Sequence, residues 1–328
     1  MKKDWNTYFG SIGDPTVNNT NYKNRYVSAS AGKFYFGDCY FYRIQNSAID
    51  IGPSQNDQYA MVEFSSFVNC FYSKFCYYCN GGGGIHFAGL KSVIDHVCSS
   101  FCASTRGGQS LYIGSGEGHF LSCSITNCGI DEIKGYSTIR FATSIFQIVE
   151  NINMSANKCR VNAGYDAYSL KGSTSKYIIV TNCNSSISLN ELTCSSPYKG
   201  LYSYVVFVQN RCGTSLVVFY ENISLDNCIF LENNAQYGFD SGEVPSNILT
   251  IANSYVDLKI ITGQGKVIYS NLRNDLFPIY RDLTDDKNCN NVYLVVARVK
   301  PKCTYRNSLY YLFTLSFFSN PLLINKVI

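Results

Sequence analysis

Apolar and polar residues alternate along this chain in short runs with a period of two. Lys33-Phe-Tyr-Phe36 and Cys39-Tyr-Phe-Tyr-Arg-Ile44 are early examples, and Ile248 to Leu258 and Lys266-Val-Ile-Tyr269 are late ones. This alternation predicts half-buried strands, whereas windows with the 3.6-residue period of an amphipathic helix are hard to find. Gly, Asn and Ser punctuate the runs, as turns between strands require.

The runs also repeat. The pattern apolar-x-Asn-Cys occurs at Phe67-Val-Asn69-Cys70, Ile125-Thr-Asn127-Cys128, Val180-Thr-Asn182-Cys183 and Leu225-Asp-Asn227-Cys228, with cysteine spacings of 58, 55 and 45. Looser copies at Phe101-Cys102, Asn157-Lys-Cys159 and Asn210-Arg-Cys212 reduce the successive spacings to 32, 26, 31, 24, 29 and 16. All but the last suit one coil of a solenoid with variable loops. Asn precedes five of the 15 cysteines although it is only about a tenth of the chain, so composition is a poor account of the pairing. A second element runs from a glycine turn into an apolar strand: Gly81 to Phe87, Gly107 to Ile113 and Gly135 to Phe141, with a fainter copy from Gly164 to Leu170.

These patterns predict an all-β chain folded as a parallel β-helix, a solenoid of irregular coils. Successive coils lie ~4.8 Å apart, so an inward side chain packs directly on its copy in the next coil. Phe67, Ile125, Val180 and Leu225 are expected to stack inward, with Cys70, Cys102, Cys128 and Cys183 in equivalent buried places. Asn is expected to pass amide hydrogen bonds along a corner, and Gly to supply positive φ at another. Residues 1–30 read as a polar lead or cap, 31–270 as the β-helix, and 271–328 as a break, a further strand at Val292 to Ala297 and an apolar tail.

The alternating Phe-x-Asn-Cys and Gly-Gly-Gly-Ile segments, over roughly residues 39–235, resemble the repeats of right-handed β-helix surface proteins of trichomonad protists. They are also similar to the Gly-Gly-Ala-Ile and Phe-x-x-Asn repeats of chlamydial polymorphic membrane proteins. The resemblance implies a right-handed, pectin-lyase-like β-helix and a cell-surface or secreted protein of adhesive or unknown role.

Composition narrows the function classes. A hydrophobic fraction of 46% excludes bulk disorder, and 15% charged residues is low against the usual ~25%. The net charge of +4 is spread without runs of like sign, which argues against nucleic acid or an anionic membrane as partner. The first ten residues have a basic start but no apolar core, so no secretory signal is readable. Residues 308–325 are uncharged but interrupted by Asn320-Pro321, and a span needs about 20 apolar residues. They read as a strand or helix packed on the body rather than an anchor.

Cys76, Cys79, Cys98 and Cys102 have a spacing close to that of a four-cysteine zinc site. Similar cysteines recur where no such partner exists, so buried ladder thiols are the preferred reading and no metal or cofactor is assigned. Local disulfides, if any, are expected at Cys76–Cys79 or Cys98–Cys102. His86, His96 and His119 lack metal-site spacing and read as rim or coil-surface residues. Glycines 81–84 lack the Lys-Ser/Thr of a phosphate loop and read as a turn. Asp131-Glu132, Asp226, Asp240, Glu243 and Asp285-Asp286 are too scattered to form a catalytic group. The sequence thus favours a non-enzymatic surface or interaction protein that shows loops and aromatic ridges to a glycan or a cell-surface protein. The alternative is a carbohydrate-active enzyme, a polysaccharide lyase or glycoside hydrolase, on the same fold. An exposed line of Tyr would favour the first, and converging carboxylates the second.

Overall fold

The computed structural model describes residues 5–52, 57–73, 81–105, 107–131, 134–194, 199–242, 244–257 and 265–277. The described residues are all-β, 62% strand and 3% helix, and wind into a parallel β-solenoid of about eight turns. Each coil crosses three walls, because alternating apolar runs bury one face only when the next coil covers it. The first wall holds Gly32–Gly37, Gln58–Glu63 and the later halves of Ile85–Asp95 and Gly108–Leu121. The second holds Tyr40–Tyr42, Ser66–Val68, Cys98–Ser100 and Ser124–Thr126. The third holds Tyr26–Ser28, Ile49–Ile51 and the first halves of Ile85–Asp95 and Gly108–Leu121.

The coils begin earlier than residue 31. Val17–Thr20 pairs with Gly32–Gly37 and Tyr26–Ser28 pairs with Ile49–Ile51, all parallel. The first rung looks polar in sequence because only one side of it meets another coil. The short helix Trp5–Phe9 packs Trp5 and Phe9 on Met61 and Val93, against the outside of the first wall. At the other end Lys266–Ser270 is the last strand among the described residues, and Phe277 then joins Ile179, Val206 and Ile229 outside the second wall. Val292 to Ala297 and residues 308–325 lie outside the described residues.

Inside the second wall runs one ladder: Phe41, Phe67, Ser99, Ile125, Met154, Val180, Phe207 and Phe230. Phe41 stacks on Phe67 at 4.9 Å and 9°, and Phe207 on Phe230 at 5.1 Å and 13°. Phe67, Ile125 and Val180 thus stack as the repeat predicts. Leu225 points inward too, but on the first wall between Tyr202 and Ile251. The same local motif serves two different corners, which is why the last cysteine spacing was short.

Both corners are single left-handed residues. After the first wall they include Asp38, Phe64, His96, Ser122, Asn151, Tyr177, Tyr204 and Asn227; after the second, Arg43, Asn69, Phe101, Asn127, Ala156, Asn182, Gln209 and Glu232. The residue that follows most corners is buried, either an aliphatic such as Ile152 or Ile178 or a small hydrogen-bonding residue such as Cys, Ser or Asn. Cys70, Cys102, Cys128 and Cys183 share this place after the second wall, and Cys39, Cys123 and Cys228 share it after the first. Each of these thiols donates to the carbonyl two residues back, with Sγ···O of 3.0–3.7 Å. A cysteine here fills a small apolar space and satisfies a carbonyl lone pair that faces inward.

The column after the second wall continues through Asn157, Asn210 and Asn233, not through Cys159 and Cys212. Asn157 Nδ2 donates to Ile125 O while its Oδ1 accepts from Cys128 N, and Asn210 repeats this with Val180 O and Cys183 N. The amide ladder is therefore carried by these buried residues, whereas Asn69, Asn127, Asn182 and Asn227 supply the left-handed corner geometry. Gly107 and Gly135 take positive φ as the glycine turns predict, at 71° and 75°, but glycines 82 and 83 do not. A Cβ on Gly82 would lie 2.0 Å from Ile85 O, and one on Gly83 2.5 Å from Gln109 O.

Candidate functional site

The third wall places the middle residue of each glycine-turn strand on its outer face. Ile85, Leu111, Ile139 and Tyr165 stack inside with Phe87, Ile113, Phe141 and Ala167, so the residues between them point outward. The fainter copy thus aligns through Tyr165 and Ala167, and Tyr168 is exposed at 39%. The outer row reads Asp50, His86, Tyr112, Arg140, Asp166 and Glu191, one residue per coil.

Neighbours in this row touch. Arg25 Nη2 lies 2.9 Å from Asp50 Oδ2, and His86 Nδ1 lies 2.8 Å from Asp50 Oδ1. The His86 and Tyr112 rings are 5.5 Å apart, and the Arg140 guanidinium lies 6.0 Å from the Tyr112 ring and 5.0 Å from that of Tyr136. Arg140 Nε is 3.4 Å from Asp166 Oδ2, and Asn162 Nδ2 donates to Glu191 Oε2 at 3.1 Å. Asp166 is only 2% exposed. Burial, and next the Glu191 charge, raise its carboxyl to about 7 against the pull of Arg140 and Ser137. Burial, with the nearby Glu191 and Asp166 charges, pushes the half-exposed Tyr136 hydroxyl up to about 12.

Beside this row lies a lane of small outward residues. Ala88, Gly114 and Ala142 are in register, and the next member is Tyr168. The lane is flat because nothing beyond a methyl group rises from it, and Tyr168 closes one end. A flat, partly polar strip edged by His86, Tyr112 and Arg140 can seat an extended ligand along the solenoid axis, with a ring against Tyr168.

The acids singled out in the sequence are not brought together. Asp226 lies on the first wall, Asp240 on the third, and Asp131 in a connection beside Lys134. Glu132, Glu243, Asp285 and Asp286 lie outside the described residues. Sequence reasoning missed Asp50, Asp166 and Glu191, although the middle residue of each glycine-turn strand already carried the row. A second in-register acid pair, Glu63 and Asp95, is 1% exposed and closed by Tyr35 and His96. His86 is part of the outer row, while His96 is a left-handed corner and His119 packs against Tyr8.

Of the four cysteines with zinc-like spacing, Cys76 and Cys79 lie outside the described residues. Cys98 is disulfide-bonded and half-buried on the outer face of the second wall. Cys102 is a free thiol with no exposed surface, inside the core. A Cys98–Cys102 bridge is therefore corrected: the left-handed Phe101 turns the second thiol inward, away from the first. Ten described cysteines are free and buried, and among the described residues no group of three or more ligating side chains converges. Burial raises the thiols of Cys183 and Cys228 to about 12. No family model, curated protein or solved structure matches the chain.

Proposed function

We propose that this protein is a non-enzymatic interaction protein that presents the third wall of its solenoid to a glycan. The observation that carries this reading is the lane of Ala88, Gly114 and Ala142, bordered by the contiguous His86–Tyr112–Arg140 row and ended by exposed Tyr168. Charges along the border are matched within the row, so they offer hydrogen bonds and a ring face rather than a reactive centre. The coils then wind as a right-handed, pectin-lyase-like β-helix, in line with the right-handed rule for parallel crossovers. The resemblance of the coil motifs to trichomonad and chlamydial repeats supports display at a cell surface. A panel of neutral oligosaccharides tests the reading. At least one should bind, and Tyr168→Ala and Arg140→Ala should each weaken it by roughly tenfold, the first with an unchanged melting temperature. Binding that ignores both variants, or no binding at all, would sink it.

One observation favours a second reading as a glycoside hydrolase. Asp166 is held protonated toward neutral pH with Glu191 in register beside it, and a protonated acid next to a second carboxyl group is the pairing that glycoside hydrolysis uses. Its weakness is access, because Tyr136 and Arg140 cover Asp166. Release of reducing ends that vanishes in Asp166→Asn and Glu191→Gln would replace the binding reading with this one.

A further inference from the structure

A second polar feature runs along the corner after the second wall, away from the third-wall lane. It is an open furrow of about 490 Å³. One bank is the in-register row Lys158, Asn184, Arg211 and Asn234, and the other is formed by Asn182, Gln209 and Glu232. Cys183 and Asn210 make the floor, and the Asn210 carboxamide is fully occupied by Cys183 N, Val180 O and Asn233 Oδ1.

The banks carry specific chemistry. Lys158 and Arg211 are exposed, and among the described residues neither makes an ion pair. They sit on the same face one coil either side of Asn184, so their backbones are roughly 10 Å apart, twice the ~4.8 Å strand spacing. That separation matches the repeat of an extended sugar chain with two-fold symmetry, in which every second residue shows the same face. Carboxamides stand between and beyond the cations, where sugar hydroxyls need both donors and acceptors. At one end Glu232 accepts from Gln209 Nε2 at 2.8 Å, so the furrow is cationic from Lys158 to Arg211 and acidic at the Glu232 end.

An extended peptide fits poorly. The corner amides already bond between coils: Asn182 N to Val208 O, Asn184 N to Asn157 O, Gln209 N to Leu231 O and Arg211 N to Cys183 O. No strand edge is left for a peptide backbone to join. We propose that this furrow binds an acidic oligosaccharide with one carboxylate per disaccharide, with successive carboxylates on Lys158 and Arg211. The proposal is independent of the third-wall reading.

Calorimetry on the full chain with a hyaluronan octasaccharide at low ionic strength tests it, with the carboxyl-reduced octasaccharide and a poly-glutamate peptide as comparisons. Binding should weaken roughly tenfold in Lys158→Gln and in Arg211→Gln, as expected for loss of a charge-assisted contact, and further in the double variant. Tyr168→Ala should leave this binding unchanged, which separates it from any third-wall ligand. Both substituted side chains are exposed, so an unchanged melting temperature verifies the fold. The proposal is overturned if the octasaccharide does not bind, if the reduced chain or the peptide binds as tightly, or if the two variants bind like the parent.

Discussion

The inside of the second wall and the outside of the third obey opposite rules. Within the second wall apolar stacks on apolar except at Ser99, with Phe41 on Phe67 and Phe207 on Phe230. Outside the third wall unlike stacks on unlike: Arg25, Asp50, His86, Tyr112, Arg140 and Asp166 alternate in sign or interpose a ring. The stack itself explains both. In-register neighbours are one strand spacing apart, so identical apolar groups gain by repeating and identical charges lose. Where the outer row does repeat a sign, at Asp166 and Glu191, the buried member holds its proton up to about pH 7. A solenoid can therefore repeat its core almost freely, but it must compose its charged face coil by coil.

The largest expected effect breaks the inner rule. Phe67 is fully buried between Phe41 and the following coil, so Phe67→Asp puts an uncompensated charge into the ladder. It should lower stability by about 5 kcal/mol or more, enough to unfold most of the chain. Thermal denaturation followed by circular dichroism checks this, and a variant that melts like the parent would refute the register. Asn210→Ala should cost less, about 2–4 kcal/mol. It strands Cys183 N and Val180 O, each a buried group that loses its partner.

The outer rule predicts a pH dependence with a definite sign. Folded Asp166 holds its proton up to about pH 7, whereas the unfolded side chain releases it near its ordinary value of 3.8. Folded protein therefore binds more protons between these values, and stability falls as pH rises from about 4 to 7, then levels. At about 1.4 kcal/mol per pH unit the whole drop is at most about 4 kcal/mol. Asp166→Asn should flatten this slope, lying close to the parent at pH 4 and above it at pH 8, in urea titrations at both values. A parent stability that rises through this window would contradict the buried, proton-holding pair.

Much of the fold was legible because the solenoid writes its repeat in residues that only a coil needs. Left-handed corners favour Asn, and the next position favours a small donor, so Asn-Cys marks corners whichever wall precedes them. That same degeneracy hid the register: Leu225-Asp-Asn227-Cys228 looks like Val180-Thr-Asn182-Cys183 but turns a different corner. The site was legible only by alignment of strands. His86, Tyr112, Arg140 and Asp166 have no shared residue type, and spacing differs between coils, so nothing in their composition groups them. They meet only because the apolar residues on either side of each fix its place in the stack.

The smallest effect tests whether the corner preference for Asn is geometric alone. Phe101 is left-handed at φ 54°, a region unfavourable for a bulky residue, and 53% of its surface is exposed. Its backbone N–H donates to Thr126 O, so the corner is held by the coil ladder and not by the ring. Asn tolerates this conformation, and Asn69, Asn127 and Asn182 already use it at φ 52–54° in the same column. Phe101→Asn should therefore stabilise the protein by about 0.5–1 kcal/mol, a gain that exceeds the little apolar burial lost. The control is Cys102→Ala at the neighbouring position. It removes a buried thiol that bonds to Phe67 O at 3.4 Å and should destabilise by about 1 kcal/mol. Opposite signs for two adjacent substitutions, read as melting-temperature shifts, would separate backbone geometry from core packing. A loss in both would mean that the exposed ring at residue 101 contributes more than its corner costs.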